Sequence, residues 1–377
     1  MKIFFVGLSG VPYASRACDI RLDSFALLFQ KCGYDVTVLN RYSPCSNEYD
    51  SSSKKEYEIV ELIKHRKSSP FNYLFLLLSV LKELVFLVKY RLKNNSDVIL
   101  HVYTGHYLDI CLYHLISKVC GYKIIYQYVE YRLDEKRENL YHKINAWLVD
   151  KKGAKMWDGV IPISHFLKEK AFEVNSHIKC FIGPPICNFT QFQSDAQKEN
   201  VVLYCGHAGY FDVIKLVVDS YSKSNISSSY RLVLVVAGSD KQLMDVREYA
   251  PTAIVKTKLP YDDLIKEYNI TKVLLIPLRN SIKDISRFPN KICEYSASKG
   301  VIVTTKYGEP AHFFKDKESA VISNECTVDS ISDSLNWIYQ NENKIESIGN
   351  KGYEVGLKYF DLISYQDGIK DFINSLK

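Results

Sequence analysis

The sequence predicts an α/β protein built from two doubly wound domains, each with a parallel sheet. Short apolar segments alternate along the chain with stretches long enough for a helix. The series breaks once, in the polar stretch 184–198, and then starts again. Since strand, helix and parallel strand form one βαβ unit, two series predict two sheets. A chain of 377 residues also has the length of two ordinary domains.

The strand candidates are apolar, often β-branched runs bounded by turn residues. In the first series they are Lys2–Leu8, Asp35–Asn40, Asp97–Tyr103, Tyr122–Tyr128 and Asp158–Ile163. In the second series they are Asn200–Cys205, Arg231–Ala237, Ala253–Val255, Lys272–Ile276, Val301–Thr304 and Ala320–Ile322. The predicted domains span 1–185 and 196–360, and an apolar-periodic tail predicts a last helix over about 364–377.

Both series open with a strand that ends in a glycine turn, Gly7-Leu-Ser-Gly10 and Gly206-His-Ala-Gly209. Glycine at the carboxyl end of the first strand of a doubly wound domain lets a ligand approach the backbone. Neither turn is a complete GxGxxG, so no nicotinamide or flavin site is indicated.

The composition, 47% hydrophobic and 24% charged, is typical of globular proteins. Ten scattered cysteines without a CxxC pair predict neither disulfides nor a zinc site, which favours a cytoplasmic location. The chain begins directly with a strand, so no signal peptide is expected.

The net charge of +6 lies wholly in residues 1–160, with 23 Lys/Arg against 17 Asp/Glu. This half suits an anionic partner, but no basic-aromatic run indicates nucleic acid.

The segment from Arg287 to Thr305 has the composition of a phosphate and ribose site. Lys291 and Glu294 share one face near the start of a predicted helix, which Gly300 ends. Cations beside a helix N-terminus bind phosphate, and a carboxylate accepts hydrogen bonds from sugar hydroxyls. An ordinary surface helix with a Lys–Glu pair is the alternative.

The order Arg287-Phe-Pro-Asn-Lys291-Ile-Cys-Glu294-Tyr resembles the donor-binding segment of retaining glycosyltransferases of the GT-B fold, family 4. The resemblance implies two Rossmann-like domains facing a central cleft, a nucleotide-diphospho-sugar donor, and transfer with retention and without metal or cofactor. In that family the Glu binds the ribose, and the Arg and Lys face the diphosphate. The donor-binding candidates are Arg287, Lys291, Glu294, Gly206, Gly238 and Leu259.

The chain departs from the family pattern in two respects. A basic pair often follows the first donor-domain strand, where this chain has His207 and Asp212. Many members carry a second Glu eight residues before Glu294, where this chain has Ser286, and the nearby Asp284 is out of register. The second departure puts the donor sugar, and activity itself, in question.

The first domain supplies candidates for catalysis and acceptor binding. Glu130 follows a strand, where carboxylates point to the ligand edge, and it resembles a family Glu; an ion pair with Arg132 is the alternative. His106 follows the preceding strand, and a structural role is its alternative. The acceptor-binding candidates in and after the first glycine turn are Gly7, Gly10, Arg16 and Arg21, and a solvated helix start is the alternative for the two arginines. The adjacent Asp262 and Asp263 fit a helix cap better than a metal site.

Residues 64–93 combine an apolar helix, interrupted by Lys82 and Glu83, with basic residues at both ends. The apolar run is too short to span a bilayer. It predicts either an interfacial helix on an anionic membrane or a buried helix of the first domain.

The sequence therefore predicts a glycosyltransferase that acts on a glycan or lipid-linked glycan of a surface-polysaccharide pathway, with a sugar-nucleotide epimerase or a non-catalytic GT-B subunit as alternatives.

Overall fold

A computed structural model describes residues 1–9, 17–42, 55–63, 72–133 and 139–377. The chain divides into a first unit, Met1–Pro184 with Tyr365–Lys377, and a second unit, Pro185–Ser364. Each unit is a parallel sheet covered by helices, so the predicted α/β class with two doubly wound sheets is confirmed.

The sheet of the first unit has seven parallel strands in the order β3-β2-β1-β4-β5-β6-β7. They are β1 (Lys2–Leu8), β2 (Asp35–Asn40), β3 (Glu58–Glu61), β4 (Val98–Val102), β5 (Lys123–Tyr128), β6 (Gly159–Pro162) and β7 (Lys179–Cys180). The sequence predicts five of them and misses the two edge strands β3 and β7. Both are short and lack a buried apolar run, because an edge strand contacts the core little.

The helices between these strands follow the βαβ pattern. They are α1 (Ala17–Lys31), α2 (Asn72–Lys93), α3 (Tyr107–Cys120), α4 (Leu140–Lys152) and α5 (His165–Val174). Helix α2 packs against α3, and α3 packs against α4, so these three lie side by side.

The second unit has six parallel strands in the order β10-β9-β8-β11-β12-β13, and all six were predicted. They are β8 (Glu199–His207), β9 (Arg231–Ala237), β10 (Ile254–Lys256), β11 (Thr271–Leu275), β12 (Val301–Thr305) and β13 (Val321–Ser323). The helices are α6 (Phe211–Lys223), α7 (Asp240–Tyr249), α8 (Tyr261–Ile270), α9 (Ile282–Ser286), α10 (Lys291–Ala297), α11 (Pro310–Phe313), α12 (Val328–Gln340) and α13 (Ile345–Tyr359).

The last helix, α14 (Gln366–Asn374), packs within the first unit. The Phe372 ring stacks on Phe181 with ring centroids 5.8 Å apart. A Cβ at Gly159 of β6 would lie only 2.8 Å from the Phe372 ring, so glycine is needed for this close approach.

A buried polar cluster ties α2 and α3 to the sheet of the first unit. Nε of Arg41 lies 2.7 Å from Oε2 of Glu83, and Nη1 of Arg41 lies 2.9 Å from Oδ2 of Asp109. The Tyr113 hydroxyl donates to Glu83 Oε2 at 2.6 Å, and the Gly7 amide donates to Oε1 at 3.1 Å. Burial raises the pKa of Glu83, while Arg41 opposes that change. The cluster compensates a carboxylate that has no contact with solvent.

His101 on β4 is a second buried titratable group of the first unit. Its Nε2 lies 2.9 Å from the side-chain amide of Gln127, and its ring packs against Phe5. Burial, together with the positive charge of Arg21, lowers the pKa of His101 to about 3. The imidazole is therefore neutral at physiological pH.

This lowered pKa predicts that acid destabilises the first unit. Below the ordinary histidine pKa of about 6.5, the unfolded chain binds a proton at His101 that the folded chain does not. The free energy of unfolding should thus fall as the pH decreases from 6.5 towards 3, by about 2 kcal/mol near pH 5. Denaturant unfolding at several pH values measures this slope. His101→Phe should flatten it, the surface variant His177→Gln should not, and an unchanged slope in His101→Phe would assign the effect elsewhere.

Candidate active site

The donor-binding candidates lie along one edge of the second unit. In the observed strand order, Leu259 follows β10, Gly238 follows β9, Gly206 ends β8, and the loop after β11 leads to Arg287. Because carboxyl ends of parallel strands meet at one edge, four consecutive strands bring these residues to the same side. This edge is where doubly wound sheets bind ligands.

Helix α10 carries the two central candidates. It begins at Lys291, after Asn290, and places Lys291 and Glu294 three residues apart on one face. Glu294 is only 3% exposed. The Tyr261 hydroxyl, at the start of α8, donates to Glu294 Oε1 at 3.1 Å. The carboxylate thus lies at the meeting point of two helices.

The electrostatics of this pair are those of a buried carboxylate with one cationic neighbour. Burial raises the pKa of Glu294, while Lys291 and the Tyr261 hydroxyl act in the opposite direction. The pKa of Lys291 is raised by Cys205 and Glu294 against the effect of burial. Burial also raises the pKa of the Cys205 thiol, the group that contributes most to the raised pKa of Lys291. The pair presents one cation and one oxygen acceptor to a ligand.

Two further cations converge on Tyr210, in the turn after β8. Nη1 of Arg287 donates to the Tyr210 hydroxyl at 3.4 Å, and Nζ of Lys283 lies 5.1 Å from the centre of the ring. Burial lowers the pKa of Arg287, yet a guanidinium stays charged in proteins. Sequence reasoning missed Lys283, because it belongs to α9 and only the fold brings it to Tyr210.

Asp212, one of the positions that depart from the family pattern, forms an ion pair with Arg279. Arg279 reaches Asp212 with Nη1 at 2.5 Å and Asp284 with Nε at 2.7 Å. The carboxylate of Asp284 is therefore engaged with Arg279. Ser286 is buried, and its hydroxyl donates to the carbonyl of Lys283 at 3.3 Å.

Glu309 is a buried carboxylate in the loop after β12 that sequence reasoning also missed. Its neighbour Gly308 has a φ of 72°, and a Cβ there would lie 3.2 Å from the backbone oxygen of Asp284. This loop therefore packs against α9. The triplet Gly308-Glu309-Pro310 after a buried strand was the available signal, since it marks a turn followed by a helix start.

Close packing explains why the turns after β8 and β9 contain Gly206 and Gly238. A Cβ at Gly206 would lie 2.5 Å from the Tyr204 hydroxyl, and one at Gly238 would lie 2.8 Å from the Cβ of Ala208. The amide of Ala208 donates to the Ala237 carbonyl at 2.7 Å, so the turns after β8 and β9 touch. Their predicted role in donor binding stays a prediction, as does that of Leu259, which is half-buried before α8.

In the first unit, Gly7, His106 and Glu130 lie at the carboxyl ends of the neighbouring strands β1, β4 and β5. Gly7 has a φ of 83°, and a Cβ there would lie 3.1 Å from the Tyr103 carbonyl oxygen, so glycine is required. His106 is exposed at the N-terminus of α3. Glu130 is partly exposed, with Oε2 3.8 Å from Nη2 of Arg132.

Arg132 links two of these candidates. Its guanidinium lies 2.9 Å from the place of a Cβ on Gly105, next to His106. The ion pair foreseen as an alternative for Glu130 is thus present, but it is long and leaves the carboxylate partly exposed. The catalytic roles of Glu130 and His106 stay predictions.

Arg21 is placed differently from a surface ligand-binding residue. It is buried in α1, and its guanidinium donates to the carbonyls of Gly183 and Pro184 at 2.5 and 3.1 Å. These contacts are structural, since they hold the segment that leaves the first unit. Gly10 and Arg16, two further acceptor-binding candidates, lie outside the described residues.

Nothing in the described part of the chain forms a group of three or more His, Cys, Asp or Glu side chains suited to a metal ion. Asp263, at the start of α8, pairs with Lys266 at 2.8 Å. That contact is typical of a helix start and its first turn.

The fold is that of GT-B glycosyltransferases. Residues 188–355 match the family model of glycosyl transferases group 1, which covers the second unit and the site on α10. The protein is a glycosyltransferase. No curated protein matches the sequence.

Solved structures of similar fold cover essentially the whole chain. Sucrose-phosphate synthase from Thermosynechococcus elongatus has 14% identity and a TM-score of 0.78, over 100% of this chain and 99% of that one. Anabaena HepE in complex with UDP-glucose has 12% identity and a TM-score of 0.74, over 100% of both chains. WaaG, a glycosyltransferase involved in lipopolysaccharide biosynthesis, has 11% identity and a TM-score of 0.65, over 99% of both chains. At these identities the likeness is one of fold.

Proposed function

We propose that the protein transfers a sugar from a nucleotide-diphospho-sugar to a glycan or lipid-linked glycan in the cytoplasm, as a step of polysaccharide synthesis. The observation that carries the proposal is the buried Glu294 beside Lys291, at the ligand edge of a glycosyl transferases group 1 domain. The HepE structure that contains UDP-glucose supports a donor of this class.

In this proposal each group of the edge has one task. Glu294 accepts hydrogen bonds from the ribose hydroxyls, which compensates its burial. Lys291, Arg287 and Lys283 balance the charge that grows on the diphosphate as the bond to the sugar breaks. Three cations at one edge supply this stabilisation without a metal ion.

The acceptor is proposed to bind at the edge of the first unit formed by Gly7, His106 and Glu130. An acceptor hydroxyl loses its proton as its oxygen bonds to the sugar carbon and the bond to the diphosphate breaks, and Glu130 or His106 is proposed to receive that proton. Transfer with retention, as the family 4 resemblance implies, is part of the proposal. WaaG, whose printed role is in lipopolysaccharide biosynthesis, supports a lipid-linked glycan as one form of the acceptor.

Nucleotide binding to Glu294→Ala tests the donor site. Calorimetry with UDP and GDP should identify one preferred nucleotide, and the variant should bind it more weakly by about 1.5–3 kcal/mol, the range for hydrogen bonds to a charged group. This corresponds to roughly 10- to 150-fold in Kd. Glu346→Ala, an exposed carboxylate of α13, is the matched control and should bind like the wild type.

A panel of sugar nucleotides then tests the reaction. Release of nucleotide from one donor, increased by a glycan acceptor, is the expected result. Unchanged affinity in Glu294→Ala would remove the ribose contact from the proposal. Tight nucleotide binding with no turnover of any donor would favour a non-catalytic subunit, and interconversion of sugar epimers would favour an epimerase.

A further inference from the structure

Helix α2 presents an apolar stripe to the outside of the first unit. Exposed side chains recur at the three- and four-residue spacing of one helix face. They are Leu74, Leu77, Leu78, Leu81, Val85 and Leu92. Leu77 is 58% exposed and Leu81 is 50% exposed. A contiguous apolar patch of this kind marks an interaction surface, whereas single exposed leucines do not.

The opposite side of the same helix is polar and buried. Ser79 and Glu83 are fully enclosed, and Glu83 accepts from Arg41, Tyr113 and the Gly7 amide. Position 83 lies about half a turn from Leu81 and Val85. The helix therefore holds its carboxylate inwards and its leucines outwards, which is the reverse of a helix that faces water.

The two neighbouring helices extend this apolar surface. On α3 the exposed apolar side chains are Leu108, Leu115 and Val119. On α4 they are Leu140, Tyr141, Ile144 and Trp147. Since α2, α3 and α4 lie side by side, their outer sides form one surface, which we call the α2–α4 face.

The charges of the α2–α4 face have one sign. Each of the three helices contains a single acidic residue, Glu83, Asp109 or Asp150, and all three are buried. The exposed charged residues of these helices are lysines, namely Lys82, Lys89, Lys93, Lys118, Lys143 and Lys152. Lys82 and Lys89 follow Leu78 and Val85 by four residues, so they border the leucine stripe. On α4, Nζ of Lys152 lies 5.4 Å from the centre of the Trp147 ring.

We propose that the α2–α4 face docks on an anionic lipid bilayer. Leucines that enter the acyl boundary, lysines beside them and a tryptophan with a lysine over its ring are the composition of an interfacial surface. No helix among the described residues is long and apolar enough to cross a membrane, so the face lies on the bilayer. The exposed charges of these three helices are all positive, so the face complements an anionic surface. The basic residues Lys64, Arg66 and Lys67 lie outside the described residues.

Docking on a membrane would bring the protein to the lipid-linked acceptor of the proposed function. The biological reason for docking rests on that proposed function, whereas the docking itself does not. The Glu83 contact to Gly7 connects the docking helix to the turn at the acceptor edge. A bilayer at the α2–α4 face would therefore hold that turn near lipid-linked glycans.

Vesicle co-sedimentation of the full chain tests the docking. The probes are vesicles of phosphatidylglycerol with phosphatidylcholine and vesicles of phosphatidylcholine alone, each at low and high salt, without nucleotide. The wild type should bind the anionic vesicles at low salt and lose most of that binding at high salt. The double variant Leu77→Gln/Leu81→Gln should bind at least about tenfold more weakly, since two apolar side chains no longer leave water. Lys82→Glu/Lys89→Glu should bind only weakly even at low salt.

Matched controls come from the second unit. Leu357→Gln replaces an exposed leucine of α13, and Lys241→Glu/Lys351→Glu replaces two exposed lysines; both should bind vesicles like the wild type. Thermal unfolding shows that each variant is folded.

A wild type that stays in the supernatant with anionic vesicles at low salt would overturn the inference. So would a dimer, seen by sedimentation velocity, that the leucine variant dissociates. Donor turnover, measured separately, would survive that failure, so the two proposals fail independently.

Discussion

Glu83→Ala is expected to destabilise the first unit by about 3–5 kcal/mol, the range for removing one partner of a buried ion pair. The variant leaves Arg41 enclosed without its 2.7 Å partner, and it leaves the Gly7 amide without an acceptor. The loss is large because Nε of the enclosed guanidinium loses its acceptor and only Asp109 then balances the buried charge. Denaturant unfolding, followed by far-UV circular dichroism, measures the change.

Two variants make this prediction specific to the charge. Glu83→Gln keeps the shape and an oxygen acceptor, so it should lose clearly less stability than Glu83→Ala. Glu169→Ala removes an exposed carboxylate from α5 and should change stability by no more than about 0.5 kcal/mol. Equal stability of Glu83→Ala and the wild type would mean that the cluster contributes little net energy. In that case other contacts must hold α2 on the sheet.

Lys291→Met is expected to lower the turnover of the preferred donor by about a hundred- to a thousandfold, the range for loss of one preorganised charge-stabilising group. The methionine keeps the apolar stem and removes the cation next to the buried Glu294. Two effects then combine: the leaving diphosphate loses a positive neighbour, and the pKa of Glu294 rises further. Steady-state kinetics with the donor identified from the panel measures the loss.

The pH dependence separates these two effects. Lys291 lowers the pKa of Glu294, so in the variant the carboxylate takes up a proton at a higher pH. As the pH is lowered, the nucleotide affinity of the variant should therefore begin to decrease at a higher pH than that of the wild type. Lys241→Met, on the exposed side of α7, is the matched control for a lost lysine. Normal turnover in Lys291→Met would assign the diphosphate to Arg287 and Lys283 alone.

The sequence determined the features that depend on local pattern. Strands buried inside a sheet appear as apolar runs, so β1, β2 and β8 could be predicted from the local run of apolar residues. The donor segment was equally local, because Lys291 and Glu294 lie on one turn of one helix. Family resemblance added the expected chemistry of that segment, and the match of residues 188–355 to glycosyl transferases group 1 confirmed the glycosyltransferase class of the protein.

Tertiary structure decided the features that join distant segments. Lys82 and Glu83 read in the sequence as two interruptions of one apolar run, yet the fold sends Lys82 to the surface and Glu83 to Arg41 in the core. In the same way, Lys283 became a site candidate only through its contact with Tyr210. The 3.6-residue period of a helix is the same whichever face packs on the sheet. Periodicity therefore predicts only that α2 has an apolar face and a polar face. Only the packing of the sheet determines which of them is buried.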